Sequence, residues 1–214
     1  MSVEGRTIVL AGATSAAGLA VAEALIAAGA RVVATGRSPE RLAPLAAAGA
    51  QPEVSDATEL ADMAALASRL GQVDAVIPLV GGWRGGGGLA GQSDEDFAAL
   101  LPALQAIRAT SRAFDELLRA SDAGRFAIVS STAVERPLAG GANYAAMKSA
   151  GEAWARAVAH GFAKAARDAE QPLHAASVVF RAKGALDSHA LSRAVVALWD
   201  DGTVALNDTV ITLG

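Results

Sequence analysis

Short β-branched runs alternate with longer Ala- and Leu-rich stretches along the whole chain. RTIVLAG (6–12) reads as a buried strand. Residues 17–29 read as a helix, with apolar positions 19, 22, 25 and 26 on one face and Gly29 at its end. ARVVATG forms a second strand. SPERLAPLAAAG then predicts a helix with an N-cap serine, a proline at its first position and a closing glycine. QPEVSD is a short third strand, 56–71 a helix, and VDAVIPLVGG a fourth strand, although Pro78 argues for an edge or a bulge. After the glycine-rich segment 81–92, expected to be flexible, helices are predicted over about 94–120. RFAIVSS is the fifth strand, and 143–168 a long helix with Ala150, Trp154, Val158 and Phe162 on one row. LHAASVVF, a helix from His189 to Gly202, and a final strand or strand pair over 203–214 complete the pattern.

Strand–helix alternation from end to end implies an α/β fold: a doubly wound parallel sheet in three layers, with helices on both faces. Ligands of such sheets bind beyond the carboxyl ends of the strands, at the point where the strand order reverses. The 214 residues suit one domain spanning 1–214, and no repeat or linker divides them. Apolar residues at 52% and charged residues at 19% supply a sizeable core, built from Ala, Val and Leu because aromatics are only 4%. A net charge of −4 without a basic stripe argues against nucleic acid as a partner. Cysteine is absent, which excludes disulfides and thiolate chemistry, and His160, His174 and His189 lack ligand-like spacing, so no metal site is expected. With no secretory signal and no 18-residue apolar run, a soluble cytoplasmic protein without a membrane partner is expected.

Two motifs carry chemistry. AGATSAAG (11–18) joins the first strand to the first helix, where free backbone N–H groups and the positive end of the helix dipole favour a pyrophosphate. Its candidate contacts are Gly12, Thr14, Ser15, Ala16 and Gly18; a tight turn without a ligand is the alternative. Tyr144, the only tyrosine, lies four residues before Lys148, one of three lysines, so the two share a helix face. A nearby ammonium favours the phenolate, which brings a phenol of ordinary pKa about 10 towards neutrality. Ser131 ends the fifth strand, thirteen residues before Tyr144, with Ser130 expected to point the other way.

The first turn together with Tyr144-x-x-x-Lys148 resembles the short-chain dehydrogenase/reductase family, and the resemblance follows the strand order over nearly the whole chain. It implies a Rossmann-like fold and hydride transfer to a C=O or C=N carbon of a small molecule. Ser131 would orient the substrate oxygen, Tyr144 give the proton, and Lys148 hold the nicotinamide ribose. The family's T-G-x-x-x-G-x-G keeps Gly12 and Gly18 here, with Ala11 and Ala16 as departures. At the end of the second strand Gly36 replaces the acid that holds a ribose 2′-OH, and Arg37 follows. NADP(H) is therefore expected, with NAD(H) as the second candidate. Asp56 matches the family's adenine-facing aspartate and serves equally as a helix N-cap. Homodimers or homotetramers through the helices at 94–120 and 143–168 are common in the family.

Four departures accompany the resemblance. N-N-A-G after the fourth strand is PLVG, keeping Gly81 as a cofactor contact. The catalytic asparagine is replaced by Ala103 or Leu104, with Gln105 on another helix face. The P-G after the sixth strand is missing, and RAKGALDS is too short for the usual substrate lid, leaving a short C-terminal substrate region. The segment GGWRGG resembles dihydropteridine reductases, which would make Trp83 a contact for a flat heteroaromatic substrate; otherwise Trp83 packs on the sheet end. The competing reading is a non-catalytic nucleotide sensor that keeps the fold.

Overall fold

A computed structural model describes residues 2–214. The strands are β1 (Thr7–Ala11), β2 (Arg31–Gly36), β3 (Gln51–Val54), β4 (Ala75–Pro78), β5 (Gly124–Ser131), β6 (Ala175–Ala182) and β7 (Thr209–Leu213). The helices are α1 (Ala16–Ala27), α2 (Pro39–Ala47), α3 (Leu60–Leu70), α4 (Asp94–Ala120), α5 (Ala142–Asp168), α6 (Ser188–Val196) and the single turn α7 (Thr203–Leu206). All strands run parallel in one seven-stranded sheet of order β3-β2-β1-β4-β5-β6-β7. The order reverses between β1 and β4, so their carboxyl ends frame the switch-point crevice.

Alternation along each strand feeds two cores. Ile8, Leu10, Ile77 and Val178 pack with Val21 and Leu25 of α1, Leu42 of α2 and Leu191 of α6. Val9, Val76, Phe126 and Val179 face the opposite side, against Leu66 of α3, Phe114 of α4 and Phe162 of α5. Both faces of the sheet are therefore covered, as a parallel sheet requires.

Several expectations are corrected in detail. Pro78 lies inside the sheet. The Leu79 N–H donates to Ala11 O at 2.8 Å, so the Pro78 nitrogen faces β5, with which β4 pairs only through Ala75 and Val76. The missing donor thus falls where no ladder bond is due. Residues 94–120 form one helix, started by Ser93, whose Oγ accepts from Asp96 N at 3.1 Å. The fully buried stripe of α5 is Ala155, Ala159 and Phe162; Trp154 is only half buried, and its Nε1 donates to Ser111 Oγ of α4 at 2.9 Å. Residues 203–214 make no strand pair. Asn207 pins the segment, accepting from Ser177 N and donating to Ala159 O, and Asp208, with φ 64°, turns the chain into β7. Among the described residues no helix is long and apolar enough to cross a membrane, and no group of three or more His, Cys, Asp or Glu could hold a metal ion.

Phe126 is fully buried at the centre of the second core. Truncation to alanine is expected to cost about 3–5 kcal/mol, read as a lowered urea midpoint at unchanged m-value.

Candidate active site

The carboxyl ends of β1, β4, β5 and β6 stop at Ala11, Pro78, Ser131 and Ala182. Over this edge opens a cavity of about 1140 Å³, lined by Ser15, the segment 78–83, the end of β5, the first turns of α5 and Ala182–Leu186. It brings Ser15, Gly81, Trp83, Ser131, Tyr144 and Lys148 together. Gly12, Thr14, Ala16, Gly18, Arg37 and Asp56 do not line it and lie along the adjoining β1–β3 edge.

That edge is shaped for a polyanion. Ser15 caps α1, its Oγ accepting from Gly18 N at 3.2 Å, which leaves the N–H groups of the exposed Ala16 and of Ala17 pointing out of the helix end. The first turn of α1 holds no acid, whereas that of α4 holds Asp94, Glu95 and Asp96, so the dipole of α1 stays unneutralised. Gly12 has φ 75°, and a Cβ there would meet Val80 Cγ2 at 2.3 Å. Buried Thr35, unremarked in the sequence, fixes this turn: its Oγ1 accepts from Gly12 N and its carbonyl from Ala13 N, both at 2.9 Å. A Cβ on Gly36 would meet Thr14 Cγ2 at 2.5 Å, so no acid fits at that place without movement. Arg37 extends into solvent, 3.9 Å from Asp56, and Arg41 reaches Thr14 O at 3.4 Å. Asp56 is not a helix N-cap. It closes a local turn, Oδ1 accepting from the N–H and hydroxyl of Thr58, and Glu59 occupies the cap position of α3. Ser55 Oγ beside it is buried without a partner. The bare helix end, the side-chain-free Gly36, two arginines and an unpaired hydroxyl fit a phosphorylated nucleotide.

Tyr144 stands in the first turn of α5, with Lys148 Nζ 5.5 Å from its ring centroid. The expected lowering of the Tyr144 phenol by Lys148 does not occur here. Burial pushes the phenol above its ordinary value, while Ser131 pulls the other way. Lys148 instead donates to Val129 O at 2.7 Å, and burial lowers its ammonium to about 8 against the opposing charge of Glu152. Ser131 is buried, its Oγ accepting from Ala133 N at 3.2 Å. Ser130 faces α5, donating to Glu152 Oε1 at 2.6 Å.

Glu152 escaped the sequence reading although it lies one turn beyond Lys148. Arg181 of β6 grips it through Nε at 2.8 Å and Nη2 at 2.6 Å, and also reaches Glu135 at 2.5 Å. Burial pushes the Glu152 carboxyl up, but Arg181 and Ser130 hold it below its ordinary value. Gln92 was missed as well. Its Nε2 donates to Gly86 O and Gly140 O at 3.1 and 3.0 Å, and its Oε1 accepts from Asn143 N at 3.1 Å. The Gly86 N–H donates to Gly140 O at 2.7 Å. The segment 81–92, expected to be flexible, is therefore docked on the start of α5.

Ala103 and Leu104 do line the cavity, and Gln105 faces solvent. Residues 183–187 alone join β6 to α6, with no lid between them. Trp83 is 61% exposed at the rim, so it does not pack on the sheet end, and Gly81 has open space where a Cβ would lie.

A family profile described as short chain dehydrogenase matches residues 6–166. Solved structures agree in fold. A short-chain type dehydrogenase/reductase from Mycobacterium ulcerans is 19% identical with a TM-score of 0.83, covering 100% of this chain and 90% of its own. A short chain dehydrogenase from Salmonella enterica serovar Typhi is 18% identical with a TM-score of 0.84, covering 99% and 96%. The Pseudomonas aeruginosa RhlG/NADP active-site complex is 18% identical with a TM-score of 0.81, covering 99% and 96%. No curated protein matches significantly.

Lys148 yields a pH prediction. Its folded value of about 8 lies below the roughly 10.4 of a free lysine, so between these values the unfolded chain holds a proton that the folded chain has released. The wild type is expected to gain stability relative to Lys148→Met as pH rises through that window. NMR titration of ¹³C-methylated lysines should find a midpoint near 8 for Lys148, falling further in Glu152→Gln; a wild-type midpoint above about 10 contradicts this account.

Proposed function

The chain belongs to the short-chain dehydrogenase family, a family of NAD(P)-dependent oxidoreductases, and on that premise we propose that it reduces a small carbonyl or imine compound with NADP(H). The observation that carries this reading is the convergence of Ser131, Tyr144 and Lys148 on one cavity at the carboxyl edge of the sheet. Bound NADPH supplies a hydride to the electrophilic carbon. The Ser131 hydroxyl donates to the substrate oxygen or nitrogen and steadies the charge that develops there. Tyr144 Oη delivers the proton. Its raised pKa keeps that proton on the phenol at neutral pH, which suits an acid in the reductive direction. Lys148 would hold the nicotinamide ribose hydroxyls, and Ser15 with the N–H groups of Ala16 and Ala17 the pyrophosphate.

Preference for NADP(H) over NAD(H) rests on Gly36, where an acid does not fit without movement, on Arg37 beside Asp56 and on Arg41 at Thr14 O. The arginines would clamp the 2′-phosphate, and Asp56 would face the adenine. The NADP held by the Pseudomonas RhlG structure accords with this. The exposed indole of Trp83 supports a flat heteroaromatic substrate, of which the pterin suggested by GGWRGG is one case. Assembly as a homodimer or homotetramer is part of the proposal. Ala103 and Leu104, in the place of the family asparagine, favour the competing nucleotide sensor without turnover.

Two experiments decide. NADPH consumption over a panel of ketones, quinones, imines and pterins should find turnover, and Tyr144→Phe should lower it by about a thousandfold. Tight NADPH binding without turnover of any compound instead supports the sensor. In calorimetric titrations Arg37→Gln and Arg41→Gln should each weaken NADP⁺ by about tenfold or more, and NAD⁺ much less; equal effects on both remove the 2′-phosphate assignment.

A further inference from the structure

The walls of the cavity carry two cations, Arg136 and Lys148, and no acid. Lys148 is committed to Val129 O and to the face of Tyr144. Arg136 has no ion-pair partner among the described residues. Its neighbour Glu135 is bound by Arg181 at 2.5 Å, and Arg181 in turn is held by Glu152, so the nearest acid in sequence is drawn away from the cavity. Arg136 thus lines, without an acidic partner, a space whose remaining walls are largely apolar, with Leu100, Ile107, Leu138, Met147 and Leu186 among them.

We propose that the substrate is a carbonyl compound with an apolar body and a carboxylate, and that Arg136 pairs with that carboxylate. This rests on the reductase reading above. Arg136 is exposed and Ser131 is buried, which sets the carboxylate at the mouth and the carbonyl at the floor beside Tyr144. An arginine in this position offers a planar fork that a carboxylate matches with two parallel hydrogen bonds. A neutral polar group there lacks the charge that pairs with the guanidinium and leaves it to water.

The test compares 4-acetylbenzoate with 4-acetylbenzamide, which share the ketone and the ring. Binding is followed by tryptophan fluorescence on the NADP⁺-loaded protein, and turnover by NADPH consumption. The acid should bind about tenfold tighter than the amide. Arg136→Gln should collapse the ratio to about one, and Arg136→Lys should keep part of it. Equal affinity for the two probes in the wild type, binding of neither, or a preference that survives Arg136→Gln overturns the proposal. So does a marked loss of NADPH affinity in Arg136→Gln, which would assign the arginine to the cofactor. Turnover without acid preference sinks this inference alone. Acid-selective binding that depends on Arg136, without turnover of any carbonyl, supports the carboxylate pairing and sinks the reductase reading together with the carbonyl.

Discussion

The carboxylate of Glu152 ties together three of the elements from which the site is made. It sits on α5, accepts from Ser130 at the end of β5, and is gripped by Arg181 of β6. A buried charge is costly to desolvate unless its oxygens are filled, and here three donors fill them. Beside that knot, the residues of α5 that pack under Tyr144 and Lys148 are small, Gly151, Ala155 and Ala159, and the large Phe162 comes only further along the helix. The register of α5 on β5 decides whether Tyr144 meets Ser131. The same carboxylate sets the electrostatic surroundings of Lys148, one turn away.

The unliganded electrostatics are those of a resting site. Burial favours the uncharged form of both groups, keeping the phenol protonated and easing the loss of the ammonium's proton, and desolvation is the leading cause in both. With Lys148 turned onto Val129 O, the attraction that would lower the phenol is spent on a backbone carbonyl. The pair is better described as a proton store whose poise depends on what enters the cavity than as a permanently activated base.

The fold was legible because its signal is redundant. Seven strands and their intervening helices repeat one alternation, and the turn residues agree with it, Ser38 and Pro39 opening α2 exactly as their chemistry dictates. The open points came where a single long-range contact outvotes local pattern. Nothing near Asn207 announces that it will bridge β6 and α5, and so the sequence left a strand and a strand pair open where the fold has the single strand β7. The strand read despite Pro78 holds because the extent of β4–β5 pairing, set by a neighbour distant in sequence, asks for no donor at that residue. In the site, Ser131, Tyr144 and Lys148 were visible through spacing. Arg41, Thr35 and Gln92 were not, since each acts through a backbone partner that only the folded chain supplies. Glu152 could have been found by extending the Tyr144–Lys148 face by one more turn.

Gln92 has a consequence for how this pocket changes over evolutionary time. One side chain fastens the glycine-rich stretch to the opening residues of α5, so the rim and the phenol-bearing turn travel as a unit. Divergence can rewrite the exposed Trp83 while that amide is kept, but not Gly85, where a Cβ would meet Gly140 O at 2.4 Å. A chimera that imports a foreign rim but ends it with another residue would inherit new walls without the amide's bonds to Gly140 and Asn143.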